Sequence, residues 1–148
     1  MDWMFLVIDS SEADAAATDR AIGRVIPGAT VVSVGSGEAA LARLEELRAV
    51  PSMVFLAYDL PDMNGIQFLG RLRERSWLAG TPVTLLGDPV DDRVIVTCYR
   101  LGASACLSKP VRLHELRETI RDFGRFSQKM ASASFVPGSS HHARETAA

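Results

Sequence analysis

The chain has 148 residues, 47% of them hydrophobic and 23% charged, which is enough for one domain with its own core and ordinary for a globular protein. A formal net charge of −2, with no basic block anywhere, speaks against nucleic-acid binding. Two cysteines, Cys98 and Cys106, are too few and too irregularly placed for a disulfide framework or a zinc site, so a reducing cytoplasm is the expected location.

The first apolar run has no basic stretch before it and stops at Asp9, which fits neither a signal peptide nor a membrane span. Residues 3–8 read as a short buried strand, followed by Asp9-Ser10-Ser11. A helix is predicted over about 11–25, capped by Ser10 or Ser11, with Glu12 and Asp14 in the first turn where the helix dipole favours acids. Pro27-Gly28 ends it, residues 29–34 form a β-branched strand, and Gly35-Ser36-Gly37 is the next loop. The second helix, about 38–49, sets Leu41, Leu44 and Leu47 near one face and leaves Glu45, Glu46 and Arg48 to water. Pro51 closes it.

Residues 53–57 are an unbroken apolar run, the pattern of a strand buried on both faces, and the strand is expected to reach 58. Leu60-Pro61-Asp62-Met63-Asn64-Gly65 is a turn that opens a third helix, about 64–75. That helix buries Ile66, Leu69 and Leu72 and exposes Arg71, Arg73 and Glu74. A strand at 83–86, a loop at 87–92 and a helix over about 91–100 come next, the helix stopping at a glycine cap, Gly102. A short strand at 105–108 ends in Lys109-Pro110, and Leu113, Leu116, Ile120 and Phe123 mark a last helix over 113–126. Residues 127–148 lose periodicity and are expected to be a mobile tail beyond a folded unit of residues 1–126. His141-His142 lies in it without a third ligand.

Five strands alternating with five helices make a doubly wound α/β fold, a five-stranded parallel sheet of flavodoxin-like order 2-1-3-4-5. The first and third strands then lie side by side and bring Asp9, Ser10 and Ala57 to one crevice, with Gly87 and Lys109 along it.

The segments Phe5-Leu6-Val7-Ile8-Asp9-Ser10, Pro61 to Gly65, Gly102-Ala103 and Lys109-Pro110 together resemble the response-regulator receiver domains of two-component signalling (CheY-like). The likeness covers about residues 4–126. In that family the first strand ends in two acids that help hold a divalent metal, where this chain has Asp9 and Ser10. The phosphoacceptor aspartate stands four residues before the proline, here Ala57. The hydroxyl residue ending the fourth strand is Gly87, and the aromatic that repacks on activation is Cys106. Lys109 matches the family lysine, and Pro110 the proline that follows a cis peptide bond.

The resemblance therefore implies a degenerate receiver, with no catalytic residue and no cofactor. Of the metal ligands only Asp9 remains, joined at most by the Asp59 carbonyl, so magnesium binding is weak or absent. Asp59, two residues past Ala57, is the substitute acceptor if one exists, and Asp62 suits a turn role. Lys109 is expected to pair with Asp9 or Asp59. Cys106 could sense redox state, but an interior cysteine is more often inert packing. The expected function is phosphorylation-independent protein–protein interaction with a histidine kinase, regulator or output protein, or with a second copy. Arg93, Arg100, Arg112, Arg117 and Arg121 would form the contact face. The alternatives are phosphorylation at Asp59 or another acid, and sensing of a small ligand in the altered crevice.

Overall fold

The computed structural model describes residues 2–87 and 92–124. The expected tail 127–148, His141-His142 and most of the loop at 87–92 lie outside them. The elements in chain order are β1 (Met4–Ile8), α1 (Glu12–Val25), β2 (Thr30–Val34), α2 (Gly37–Leu47), β3 (Met53–Ala57), α3 (Gly65–Arg73), β4 (Val83–Leu86), α4 (Asp92–Arg100), β5 (Ala105–Leu107) and α5 (Leu113–Thr119). A 3-10 turn, Ser76–Leu78, precedes β4, and a π turn, Ile120–Gly124, continues α5. The sheet is wholly parallel, in the expected order β2-β1-β3-β4-β5.

Strand side chains alternate between the two faces, and each face has its own core. Leu6, Ile8, Val54, Leu56, Val83 and Leu85 pack with residues of α2, α3 and α4, including Leu44, Phe68, Leu72 and Cys98. Phe5, Val7, Met53, Phe55 and Leu86 turn the other way, against Ala15 and Ile22 of α1, Leu116 of α5 and Ile120 of the π turn after it. Burying each large apolar side chain is worth about 1.5–3 kcal/mol, which is what holds these helices down. At the start of β1, Trp3 stacks on Phe5 with ring centroids 5.7 Å apart. Gly124 lies beneath Trp3, where a Cβ would come within 2.8 Å of Cζ3.

The local signals explain most boundaries. Ser11 caps α1, its side chain accepting from the Asp14 amide. Asn64 and Gln67 form a reciprocal capping box on α3. Gly102 takes a positive φ of 94° after α4, as a glycine cap should.

Three expectations are corrected. α2 ends at Leu47, before Pro51, because Arg48 adopts the left-handed conformation at φ 49° and its amide reaches the Leu44 carbonyl. β3 stops at Ala57, one residue short of 58. Arg73 is not a solvated outer-face residue. Its guanidinium donates to the carbonyls of Leu101 and Gly102 after α4 and of Leu78 and Ala79 at the 3-10 turn, at 2.9–3.2 Å. Among the described residues no helix is long and apolar enough to cross a membrane.

Candidate functional site

The carboxyl ends of β1 and β3 are adjacent, with Ile8 paired to Leu56. The next residues, Asp9 and Ala57, therefore stand at one crevice, where open α/β sheets collect their chemistry. Strand alternation turns both toward the face covered by α1 and α5, since each follows the side of Val7 and Phe55. Ala57 is 2% exposed and offers a methyl group. Ser10 is exposed, and Gly87 is half-buried beyond β4.

The charged centre of this crevice is Lys109. Its Nζ lies 2.7 Å from Asp9 Oδ2 and 3.1 Å from Asp14 Oδ2. The Asp9 contact is an ion pair, while Oδ1 of Asp9 accepts from the Ser11 amide at 3.0 Å. Asp9 has a side chain only 2% exposed, against 23% for Lys109 and 48% for Asp14. Partial burial works against the Lys109 charge, but the bonds and charges of Asp9 and Asp14 outweigh it and hold its pKa above the ordinary value. The Lys109–Pro110 bond is cis.

Lys109 was expected to pair with Asp9 or Asp59. Asp9 is the first partner and Asp14, on α1, the second. Asp59 lies past the end of β3, exposed, in an isolated bridge with Asn64. With the strand finished at Ala57, alternation no longer aims Asp59 at the crevice. Among the described residues no three His, Cys, Asp or Glu side chains group as metal ligands.

Asp62 does more than shape its own turn. Its two carboxylate oxygens accept from the amides of Gly37 and Glu38, at 2.9 and 2.8 Å, in the first turn of α2. Those backbone bonds, Glu38 first, hold its pKa below the ordinary value of 3.8.

Cys106 is half-buried on β5 and faces Tyr99 on α4. Burial raises the pKa of both groups, and Tyr99 partly offsets the rise at Cys106. Cys98, on the inner side of α4, is fully buried, and burial pushes its thiol up to about 11. Arg93, Arg100, Arg112, Arg117 and Arg121 are all exposed, the first two on α4, Arg112 just before α5 and the last two along α5 and its π turn.

Two residues of this region were missed in the sequence. Asp14 read as a helix-dipole acid, and its spacing from Ser11 gave no sign of Lys109. Tyr99 read as one more helix residue, and only the packing of α4 on β5 brings it to Cys106.

Comparison with known proteins agrees with this geometry. The family model for the response regulator receiver domain matches residues 5–121. A protein-glutamate methylesterase/protein-glutamine glutaminase of Treponema pallidum (strain Nichols) is 36% identical over 115 residues, 74% of this chain and 27% of the relative. The sensory/regulatory protein RpfC of Xanthomonas campestris pv. campestris (strain 8004) is 30% identical over 129 residues, 86% of this chain and 17% of the relative. The chain thus spans about a quarter or less of the length of these curated relatives. The crystal structure of a response regulator receiver domain from Rhodospirillum rubrum superposes with a TM-score of 0.67 at 28% identity, covering 86% of this chain and 94% of that one. The chain belongs to the response regulator receiver domain family.

Proposed function

We propose that the chain is a pseudo-receiver, residues 1–126, that signals without accepting a phosphoryl group and acts by binding another protein or a second copy of itself. The observation that carries this reading is the engagement of Lys109 by Asp9 and Asp14 at 2.7 and 3.1 Å, beside the methyl of Ala57. Phosphoryl transfer to a protein acid needs an oxygen nucleophile held in line and a cation to offset charge. Ala57 has no such oxygen, and Gly87 has no hydroxyl to receive the group.

The residues present do not fit magnesium either. That ion wants near-octahedral hard oxygens and usually one or two protein carboxylates. Among the described residues the one buried carboxylate, Asp9, already faces an ammonium, and Asp59 is exposed. Asp59 as substitute acceptor stands beyond the strand end, while Lys109 is engaged by Asp9 and Asp14.

No catalytic residue is assigned. The partner is a histidine kinase, regulator or output protein of the cytoplasm, or a second copy, docking on the arginine-bearing region from α4 to the end of α5. There Cys106 carries no aromatic ring of its own and faces Tyr99 of α4 instead.

The test is incubation of the full chain with acetyl phosphate and magnesium, read by intact mass, together with an amide NMR titration of magnesium and beryllium fluoride. No adduct and no shifts at Asp9, Asp59, Gly87 or Lys109 are expected. An acid-labile label that disappears in Asp59→Asn would overturn the reading.

A further inference from the structure

We propose that Asp62, Met63 and Arg71 act as a clasp that fixes the rim of the crevice from outside, by holding the turn after β3 against the start of α2. The first turn of α2 has amides with no partner inside the helix. Ser36 Oγ accepts from Ala39. The amides of Gly37 and Glu38 go to Asp62, which is 25 and 24 residues further along the chain. A carboxylate in that position gains both charge-assisted hydrogen bonds and the favourable end of the helix dipole.

Two further contacts act on the same two residues. Met63 lies directly over Gly37, where any added Cβ would run into Sδ, Cγ and Cε. A side chain at Gly37 would therefore have to displace Met63. Arg71 of α3 forms an ion pair with Glu38. Polar, apolar and ionic contacts thus converge on one helical turn from one neighbouring segment.

The segment they hold is stiff. The amide of Leu60 donates to the Met63 carbonyl at 3.2 Å, and that of Gly65 to the Tyr58 carbonyl at 2.8 Å. The Asn64–Gln67 capping box closes the other side. Because the turn moves as one piece, pinning its tip at Asp62 and Met63 fixes Asp59 and Leu60 at the rim. No group bound in the crevice is needed to hold them. The clasp stands whether or not an acid of this chain takes a phosphoryl group. It also makes the start of α2 a handle: whatever displaces Asp62 from Gly37 and Glu38 frees the rim.

Native-state amide exchange of the full chain and of Asp62→Ala tests this. Release of the clasp is expected to speed exchange roughly tenfold or more at Gly37, Glu38, Leu60 and Gly65, with Val7 and Phe55 in the sheet unchanged. Gly37→Ala, which pushes Met63 away while leaving Asp62 in place, is expected to speed Leu60 and Gly65 as well. Faster exchange at Gly37 and Glu38 alone would make Asp62 a helix cap and overturn the clasp. A uniform change at all amides in both variants would overturn it too, since the effect would then be global stability.

Discussion

Lys109 and Asp14 are 95 residues apart in the chain, yet Nζ and Oδ2 meet at 3.1 Å. The contact exists because α1 covers the same face of the sheet toward which Asp9 and Ala57 turn. In the family pattern a carboxylate at position 57 would face this lysine. Here α1 supplies the second negative charge from the opposite wall of the crevice.

Removing the lysine leaves a buried carboxylate without its cation. Lys109→Met is expected to cost about 2–4 kcal/mol in urea unfolding at neutral pH, because the charge of Asp9 is then uncompensated. Asp14→Asn, at a half-exposed acid, is expected to cost under about 1 kcal/mol. The Lys109 pKa is raised above its ordinary 10.5. Its contribution is therefore fully present below that pH and is lost as pH rises through the higher folded-state value. The stability gap between the wild-type chain and Lys109→Met is expected to be flat at neutral pH and to shrink on the alkaline side of 10.5.

Restoring an acid at position 57 reverses the balance. Ala57→Asp places a second carboxylate beside Asp9 in a position 2% exposed. A loss of about 1–3 kcal/mol is expected in the absence of metal. Millimolar magnesium is expected to raise the melting temperature of the variant and leave that of the wild-type chain unchanged, as read by calorimetry.

Arg73 ties three elements together through four carbonyl oxygens. Arg73→Met is expected to lower stability by about 2–4 kcal/mol, since carbonyls placed for a guanidinium lose their donors. Arg73→Lys is expected to recover less than half of that, because one ammonium cannot span the fork geometry. Urea midpoints of the two variants decide it.

The pKa of Asp62 is lowered by its bonds to Glu38 and Gly37. Stability from this group is present above the unfolded value of 3.8 and is lost as pH falls through the lower folded value. The amide signals of Gly37 and Glu38 are expected to titrate with a midpoint below 3.8. In Asp62→Asn that step should vanish.

Both thiols are held protonated by burial, Cys98 with a pKa of about 11 and Cys106 with a raised one. Since the thiolate is the reactive form, labelling by a disulfide reagent at mildly alkaline pH is expected to be slow in the native chain and fast in urea. Rapid native labelling of Cys106 would identify it as a redox sensor.

The sheet and its order were legible because each strand is an apolar run bounded by proline, glycine or polar residues. β4, between Pro82 and Gly87, was placed to the residue. The end of α2 was not, because a left-handed arginine at position 48 carries no sequence signal. Arg73 was misjudged because helical period reports where a Cα faces, not where a long side chain folds back. That Asp9 and Ala57 end neighbouring strands followed from the expected strand order. The partners of the crevice charges did not. Lys109 with Asp14, and Asp62 with Gly37 and Glu38, are pairs set by packing across distant segments.

Gly124 sits under Trp3, with room there for hydrogen and nothing larger. Trp3 precedes β1, whereas Asp9 follows it, so the two are separated by a strand length of about 20 Å. A small fluorophore attached at the exposed Asp2, next to Trp3, would consequently sit at the edge opposite Lys109. Such a tether leaves the crevice unobstructed, so labelled versions of this chain can report on partner docking without occupying its mouth.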